Sequence, residues 1–126
     1  MESPTEQECP FCRIKESLIF AQNAAAIALR DSYPISAGHS LVIPRQHVSS
    51  IYDLADAEQT QLWLLVREVR SIIIEQLSPA GFNIGINDGE AAGQTIPHAH
   101  LHVIPRYECE QRPESGSSAN LVKRGA

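Results

Sequence analysis

One long amphipathic segment near the middle of the chain constrains its fold more than any other feature. Its apolar residues follow the three- and four-residue spacing of a helix with one buried face: Leu62, Leu65, Val66, Val69, Ile73 and Leu77. We predict a helix over Asp56–Leu77, with Asp56 at or near its N-terminal cap and Gln59 three residues later. The sequence Ser78-Pro79-Ala80-Gly81 ends this helix.

Short apolar runs on both sides of the helix predict strands. They cover residues 18–21, 24–29, 39–43, 82–86 and 98–104. A turn at Gln22-Asn23 joins the first two runs as a hairpin, and Pro44, which has no N–H to donate, ends the third. The expected architecture is one α+β domain, an antiparallel sheet of about five strands with the long helix packed on one face.

The composition excludes several classes of protein. The 126 residues are 43% hydrophobic, carry a formal net charge of -5 and include three cysteines. This apolar content suffices for a core, and so few cysteines do not form a disulfide framework. The acidic balance makes long nucleic acids poor partners. The longest apolar run, residues 24–29, is far shorter than the roughly 20 residues of a membrane span.

Both ends of the chain are polar. We predict that residues 1–8 and 108–126 are poorly ordered, which leaves one domain over residues 9–107. Cys109 lies in the second of these segments and has no predicted role. Because the acidic N-terminus lacks the features of a signal peptide, we expect a cytoplasmic protein with no membrane partner.

The most informative motif contains His98, His100 and His102 at alternate positions. Alternate residues of a strand share one face, so the predicted strand would align three imidazoles on one surface. This face could simply be exposed and rich in histidine. It could also bind a metal ion, or supply a nucleophilic imidazole to a phosphorus centre.

The loop before this motif favours phosphate chemistry. Gly89 and Gly93 allow the backbone to approach a ligand closely. Asn87, Gln94 and Thr95 offer neutral hydrogen bonds to phosphate or leaving-group oxygens. A glycine-containing loop alone is more often just a turn.

A second motif is Cys9-Pro10-Phe11-Cys12. Two cysteines at this spacing can supply two ligands of a tetrahedral zinc site, with the other ligands coming from elsewhere in the chain. The alternative is a redox pair, although no thioredoxin-like βαβ pattern surrounds it.

Taken together, these motifs resemble the histidine triad (HIT) superfamily. The stretch GQTIPHAHLHVI at residues 93–104 is similar to the signature of that family, in which single apolar residues separate three histidines. Asp31 and the stretches at residues 38–47 and 83–89 match its other blocks in order. The resemblance covers residues 9–107.

The resemblance implies a nucleotide-binding α+β fold, usually homodimeric. It also implies hydrolysis or transfer at the α-phosphate of nucleoside 5′-phosphate derivatives. His100 would be the nucleophile that becomes nucleotidylated, and the region of His98 would orient it. His102 would contact phosphate oxygens near the leaving group.

Further residues match the family's binding positions. Gln94 and Thr95 match its phosphate and leaving-group contacts, and Asn87 its phosphate-side asparagine. Asp31 matches the ribose-binding acid, and His39 a histidine that supports the triad from the neighbouring strand.

The resemblance also completes the zinc site. Microbial relatives with the same N-terminal cysteine pair use two distant histidines, which match His47 and His98. The implied cofactor is a structural Zn²⁺ ion held by these histidines with Cys9 and Cys12.

The sequence leaves the substrate open. The polar stretch from Glu108 departs from the family pattern in a region on which substrate preference often depends, so the leaving group is a second nucleotide, as in a diadenosine polyphosphate, an amine or another group. An apolar base pocket around Ile19, Phe20 or Leu29 would discriminate bases poorly. The alternative function is a nucleotide-binding sensor or partner protein with little turnover.

Overall fold

The computed structural model describes residues 9–108, which form an antiparallel five-stranded sheet and one long helix. The strands are β1 (Ala21–Gln22), β2 (Ala26–Arg30), β3 (Ser40–Pro44), β4 (Gly81–Gly85) and β5 (Leu101–Arg106), and the helix is α1 (Asp56–Leu77). The strand order is β1-β2-β3-β5-β4. This arrangement confirms the predicted α+β class. The expectations about residues 1–8, Cys109 and the rest of the C-terminal tail fall outside the described residues, apart from Glu108.

Helix α1 has the predicted bounds. Ala55 is its N-cap, one residue before Asp56, and the Glu58 carboxylate accepts a hydrogen bond from the Ala55 N–H (3.3 Å). At the other end, Ser78 adopts the left-handed conformation (φ 48°), and its N–H donates to Ile74 O (3.0 Å). No helix within residues 9–108 combines the length and apolar character needed to cross a membrane.

The apolar face of α1 packs on β1, β2, β3 and β5. Five of the six predicted positions are buried: Leu62, Leu65, Val66, Val69 and Ile73. Leu77, the sixth, is 40% exposed, because it is the last helical residue, although its side chain packs against Gly38.

Two adjacent isoleucines of α1 test this packing. Ile73 is fully buried and Ile74 is 40% exposed. We expect Ile73→Ala to lower the free energy of unfolding by about 2–5 kcal/mol, because it removes buried methyl groups and leaves a cavity. Ile74→Ala makes the same change on the exposed side and should cost less than about 1 kcal/mol. Urea denaturation of both variants measures the difference, and equal losses would contradict the packing.

The first hairpin forms, with shorter strands than predicted. β1 contains two residues, because Glu16–Leu18 forms a 3-10 turn instead of extended chain. β2 begins at Ala26 and not at residue 24, because the Asn23 side-chain oxygen accepts from the N–H groups of Ala25 (3.0 Å) and Ala26 (2.9 Å). This local hydrogen bonding extends the turn into the predicted strand.

The last strand also begins later than predicted. β5 starts at Leu101, which pairs with Val42, so the antiparallel register would place Ala99 opposite Pro44. Pro44 has no N–H, and the Ala99 N–H donates instead to Val48 O (2.7 Å). His98 and His100 therefore precede the strand, and the prediction that all three histidines lie on one strand face was wrong.

Candidate active site

His98 lies in the bend before β5 and faces the N-terminal cysteines. Its Nε2 atom is 2.8 Å from Pro44 O, a carbonyl that can only accept, so Nε2 carries the proton. In the neutral ring, Nδ1 then presents its lone pair. This atom lies 3.4 Å from Cys9 Sγ, 3.5 Å from Cys12 Sγ and 3.2 Å from His47 Nδ1.

These four side chains can hold a metal ion, since their ligand atoms all lie within 4.8 Å of one another. Zinc bonds of about 2.3 Å to sulfur and about 2.05 Å to nitrogen, at tetrahedral angles, separate a sulfur from a nitrogen by about 3.5 Å and two nitrogens by about 3.3 Å. The observed separations of 3.1–3.5 Å fit that geometry. The hydrogen bond from His98 to Pro44 O would orient this ligand.

His100 is buried beside this cluster, with its ring fixed in one tautomer. Its Nδ1–H donates to the carbonyl of His98 (2.9 Å), so Nε2 holds the free lone pair. Burial lowers the pKa of His100, outweighing this hydrogen bond and the nearby Asp31 carboxyl, which raise it. A neutral imidazole with a free Nε2 lone pair is the form required of a nucleophile.

A chain of hydrogen bonds fixes His102. The Ile35 N–H donates to His39 Nδ1 (3.0 Å), so a neutral His39 carries its proton on Nε2. That proton faces His102 Nδ1 (3.0 Å), which must accept it, and His102 Nε2 is then protonated. His102 Nε2 is buried without a hydrogen-bond partner among residues 9–108. It is therefore a donor available to a ligand oxygen.

The surroundings of His102 also make folding sensitive to acid. Burial, His100 and His39 lower its pKa from 6.5 to about 3. At pH values between these two, His102 is protonated in the unfolded chain and neutral in the folded chain. The contribution of His102 to the free energy of unfolding is therefore fully present above pH 6.5 and is lost as the pH drops toward 3.

We expect this residue alone to remove about 2 kcal/mol of stability between pH 7 and pH 5. His102→Gln lacks the titrating ring. Its loss of stability from pH 7 to pH 5 should therefore be about 2 kcal/mol smaller than that of the wild type. Urea unfolding of both proteins at the two pH values measures this. Equal losses of stability in the wild type and in His102→Gln would show that His102 is not held neutral in the folded chain.

Asp31 lies beside the same chain of hydrogen bonds. Its Oδ1 accepts from the Tyr33 N–H (2.8 Å), and its buried Oδ2 lies 3.3 Å from His39 Nε2. Asp31, His39 and His102 thus form a second group of possible metal ligands. If His39 bound a metal ion through Nε2, its Nδ1 would have to carry the proton. His39 Nδ1 accepts a hydrogen bond from the Ile35 N–H, so it has no proton. We interpret this group as a hydrogen-bond relay.

The loop residues occupy different roles. The Gln94 amide is used within the protein: Oε1 accepts from the Gly89 N–H (2.8 Å), and Nε2 donates to Ser49 O (2.9 Å) and Ile96 O (3.0 Å). In this conformation Gln94 supports the loop, although the sequence predicted a phosphate contact. Asn87 is half-buried and Thr95 is exposed.

An open cavity of about 350 Å³ adjoins the metal-ligand cluster. Its lining consists of Phe11, Cys12, Ile14, Ile19, Ile27, Arg45, Gln46 and His47. Of the three residues suggested for a base pocket, Ile19 lines the cavity and Phe20 lies under the Arg30 guanidinium (4.4 Å). Leu29 is not in the lining, but it belongs to the same buried cluster as Ile27, which is. Sequence reasoning missed Phe11, whose ring centroid lies 5.0 Å from that of His100. Its position between the two cysteines was the available signal.

Comparison with known proteins identifies the family of this chain. A family model described as "HIT domain" matches residues 13–109. The chain belongs to the HIT family. An uncharacterized HIT-like protein of 16.1 kDa from Mycoplasma pneumoniae is 36% identical over 111 residues, which cover 85% of this chain and 77% of that protein.

Two other HIT relatives carry more informative descriptions. An asymmetrical bis(5′-nucleosyl)-tetraphosphatase from Schizosaccharomyces pombe is 42% identical over 94 residues, 75% of this chain. This match spans about half of the tetraphosphatase (52%). The crystal structure of a zinc-bound histidine triad family protein from Mycobacterium smegmatis has a TM-score of 0.76 and 29% identity, with 93% of this chain and 91% of that chain covered.

Proposed function

We propose that this HIT protein cleaves the α-phosphate bond of nucleoside 5′-phosphate derivatives through a covalent intermediate on His100. The observation that carries the proposal is the hydrogen bond from His100 Nδ1–H to His98 O (2.9 Å), which leaves Nε2 as the free lone pair of a buried, neutral ring. The asymmetrical tetraphosphatase among the relatives supports a dinucleoside polyphosphate as substrate.

The reaction has two displacement steps. His100 Nε2 attacks the α-phosphorus, a P–N bond forms, and the bond from phosphorus to the leaving group breaks with its electron pair on that group, which takes up a proton from solvent. Water then attacks the same phosphorus and loses a proton to solvent, the P–N bond breaks with its electron pair on nitrogen, and nucleoside monophosphate and neutral His100 are released. If an acceptor other than water attacks, the outcome is nucleotidyl transfer.

The relay residues would act by hydrogen bonding. His102 Nε2–H would donate to a phosphate oxygen near the leaving group, and His39 would hold it in that tautomer. We assign Asn87 and Thr95 to phosphate and leaving-group contacts and Asp31 to ribose. The Gln94 amide could contact the phosphate or leaving group only after breaking its hydrogen bonds to Ser49 O and Ile96 O. We therefore assign Gln94 chiefly to shaping the loop.

The base would occupy the 350 Å³ cavity, whose volume lies within the range of small-molecule sites. Its apolar residues, such as Ile14 and Ile27, suit a flat aromatic ring. Close packing of Phe11 on His100 would then place the base near the nucleophile.

We further propose that Cys9, Cys12, His47 and His98 hold a structural Zn²⁺ ion. Their separations fit tetrahedral coordination, and the zinc-bound mycobacterial relative supports the choice of metal. When bound, this ion supplies no reacting group. The coordinated His98 would present its backbone carbonyl to His100 in a fixed position.

Mass spectrometry of the reaction products and of peptides from the protein tests the function. The protein is mixed with diadenosine tetraphosphate or with adenosine phosphoramidate, quenched early and digested. We expect AMP as a product of turnover and adenylylated His100 in the early samples. Tight binding without AMP would overturn the enzymatic proposal in favour of a nucleotide sensor.

We also propose a homodimer, cytoplasmic, with its HIT domain over residues 9–107. Trp63 is 47% exposed and Leu64 is 38% exposed on α1, and such apolar surface is typical of an interface. Sedimentation at micromolar concentration should show a species of about twice 13.8 kDa. Trp63→Glu should shift it toward the monomer, and a purely monomeric wild type would contradict the proposal.

A further inference from the structure

The metal-ligand cluster and the cavity share a wall. Cys12 and His47 belong to both, and Phe11, between the two cysteines, lines the cavity as well. We propose that metal occupancy at Cys9, Cys12, His47 and His98 sets the affinity of the cavity for the nucleotide base through the position of Phe11. The inference rests on the proposed function, which places the base in this cavity.

Two kinds of side-chain contact hold the segment that carries Phe11. One is the ligand cluster, and the other is the packing of Phe11 and Ile14 against the buried residues Ile27, Leu29, Leu41 and Ile43. Residues 9–15 contain no helix or strand, and the backbone hydrogen bond from Cys12 N to Cys9 O (3.2 Å) closes only the local turn. Cys9 is fully buried, and its Sγ lies 3.4 Å from His98 Nδ1. With all four ligands held, this segment is fixed to the residues around His47 and His98. Without the metal, the apolar packing of Phe11 and Ile14 would remain, but the segment would lose its link to His47 and His98.

Phe11 connects the order of this segment to His100 and to the cavity. Its ring meets His98 edge to face (centroids 5.9 Å apart, planes at 83°) and His100 in a similar way (5.0 Å, 72°). The same ring forms part of the cavity lining. A displaced Phe11 would therefore remove one wall of the cavity and uncover one face of His100.

Ile27, a lining residue that belongs to the sheet, provides a comparison. Ile27 lines the cavity from β2, where it pairs with Ile43 of β3, and it is 6% exposed. The sheet positions Ile27, so its contribution to nucleotide binding should be the same with and without metal.

Linkage makes the proposal quantitative. If metal raises the affinity for a nucleotide by some factor, the nucleotide raises the affinity for metal by the same factor. Couplings of this kind are typically 5- to 150-fold, and we expect about tenfold here.

The experiment uses AMP, which occupies the site without being cleaved, and Zn²⁺. AMP dissociation constants are measured by calorimetry on zinc-loaded and metal-free protein, with circular dichroism confirming that the metal-free chain is folded. Zinc dissociation constants are measured by chelator competition with and without saturating AMP. Both measurements are made under conditions, such as added osmolyte, in which circular dichroism shows that the metal-free chain is folded, because coupling to an unfolded chain would report folding alone.

Two variants decide the result. Phe11→Ala should weaken AMP binding and abolish the coupling, whereas Ile27→Val should weaken AMP binding and keep the full coupling. Equal AMP affinity with and without zinc in the wild type, or an undiminished coupling in Phe11→Ala, would overturn the inference and leave the proposed function standing. Failure of the zinc-loaded wild type to bind AMP would overturn both.

Discussion

Replacing His100 with asparagine is expected to lower turnover by about three to six orders of magnitude while leaving AMP affinity within a few-fold of the wild type. The asparagine amide can still donate to the His98 carbonyl, which now receives His100 Nδ1–H at 2.9 Å. It has no nitrogen lone pair able to form a P–N bond, so covalent catalysis is lost while ground-state contacts remain. Steady-state kinetics and calorimetry measure the two quantities.

His102→Gln is the control for this variant. His102 lies next to His100, with ring centroids 5.1 Å apart, and the proposal gives it a hydrogen-bonding role without a covalent one. Losing or moving that donor should cost about 10²- to 10³-fold, as for other groups that stabilise developing charge. A His100→Asn protein with near-normal turnover, or with a smaller loss than His102→Gln, would show that His100 is not the nucleophile.

The fold was predictable wherever one periodic signal extended over many residues. The helix over Asp56–Leu77 has six regularly spaced apolar positions, and its bounds were predicted correctly. The strands are short, so single hydrogen bonds decided their ends. Neither the Asn23 side-chain turn nor the effect of Pro44 on the start of β5 is visible without knowing which residues face each other.

The triad illustrates a similar limit in the site. The sequence predicted that His98, His100 and His102 act together, and the structure brings them together, but not by strand alternation. The protonated nitrogen of each ring is set by a backbone group: Pro44 O, His98 O, or Ile35 N–H through His39. Sequence patterns do not encode these partners. The same holds for Gln94, whose amide the loop itself uses.

Loss of the proposed zinc ion is expected to lower stability about as much as a large core substitution. Cys12→Ser, or prolonged exposure to a strong chelator, should lower the free energy of unfolding by about 3 kcal/mol or more and the melting temperature by roughly 10 °C. Removing one ligand frees the segment at residues 9–12 from His47 and His98, whose ring nitrogens lie 3.1 and 3.5 Å from Cys12 Sγ. Differential scanning calorimetry measures the shift.

Three comparisons make this prediction specific to the proposed site. Cys109→Ser changes the third cysteine and none of the four ligands, so it should leave zinc content and melting temperature unchanged. His98→Ala should lower stability and turnover together. It removes the ring that faces the cluster and Pro44 O, and with that ring goes the support for the residue 98 carbonyl that accepts from His100. Wild-type protein purified without chelators should carry about one zinc ion per chain, since two thiolates and two imidazoles form a complete tetrahedral shell. Elemental analysis that finds no zinc in such protein, with its thiols reduced, would refute the site and favour a redox pair at Cys9 and Cys12.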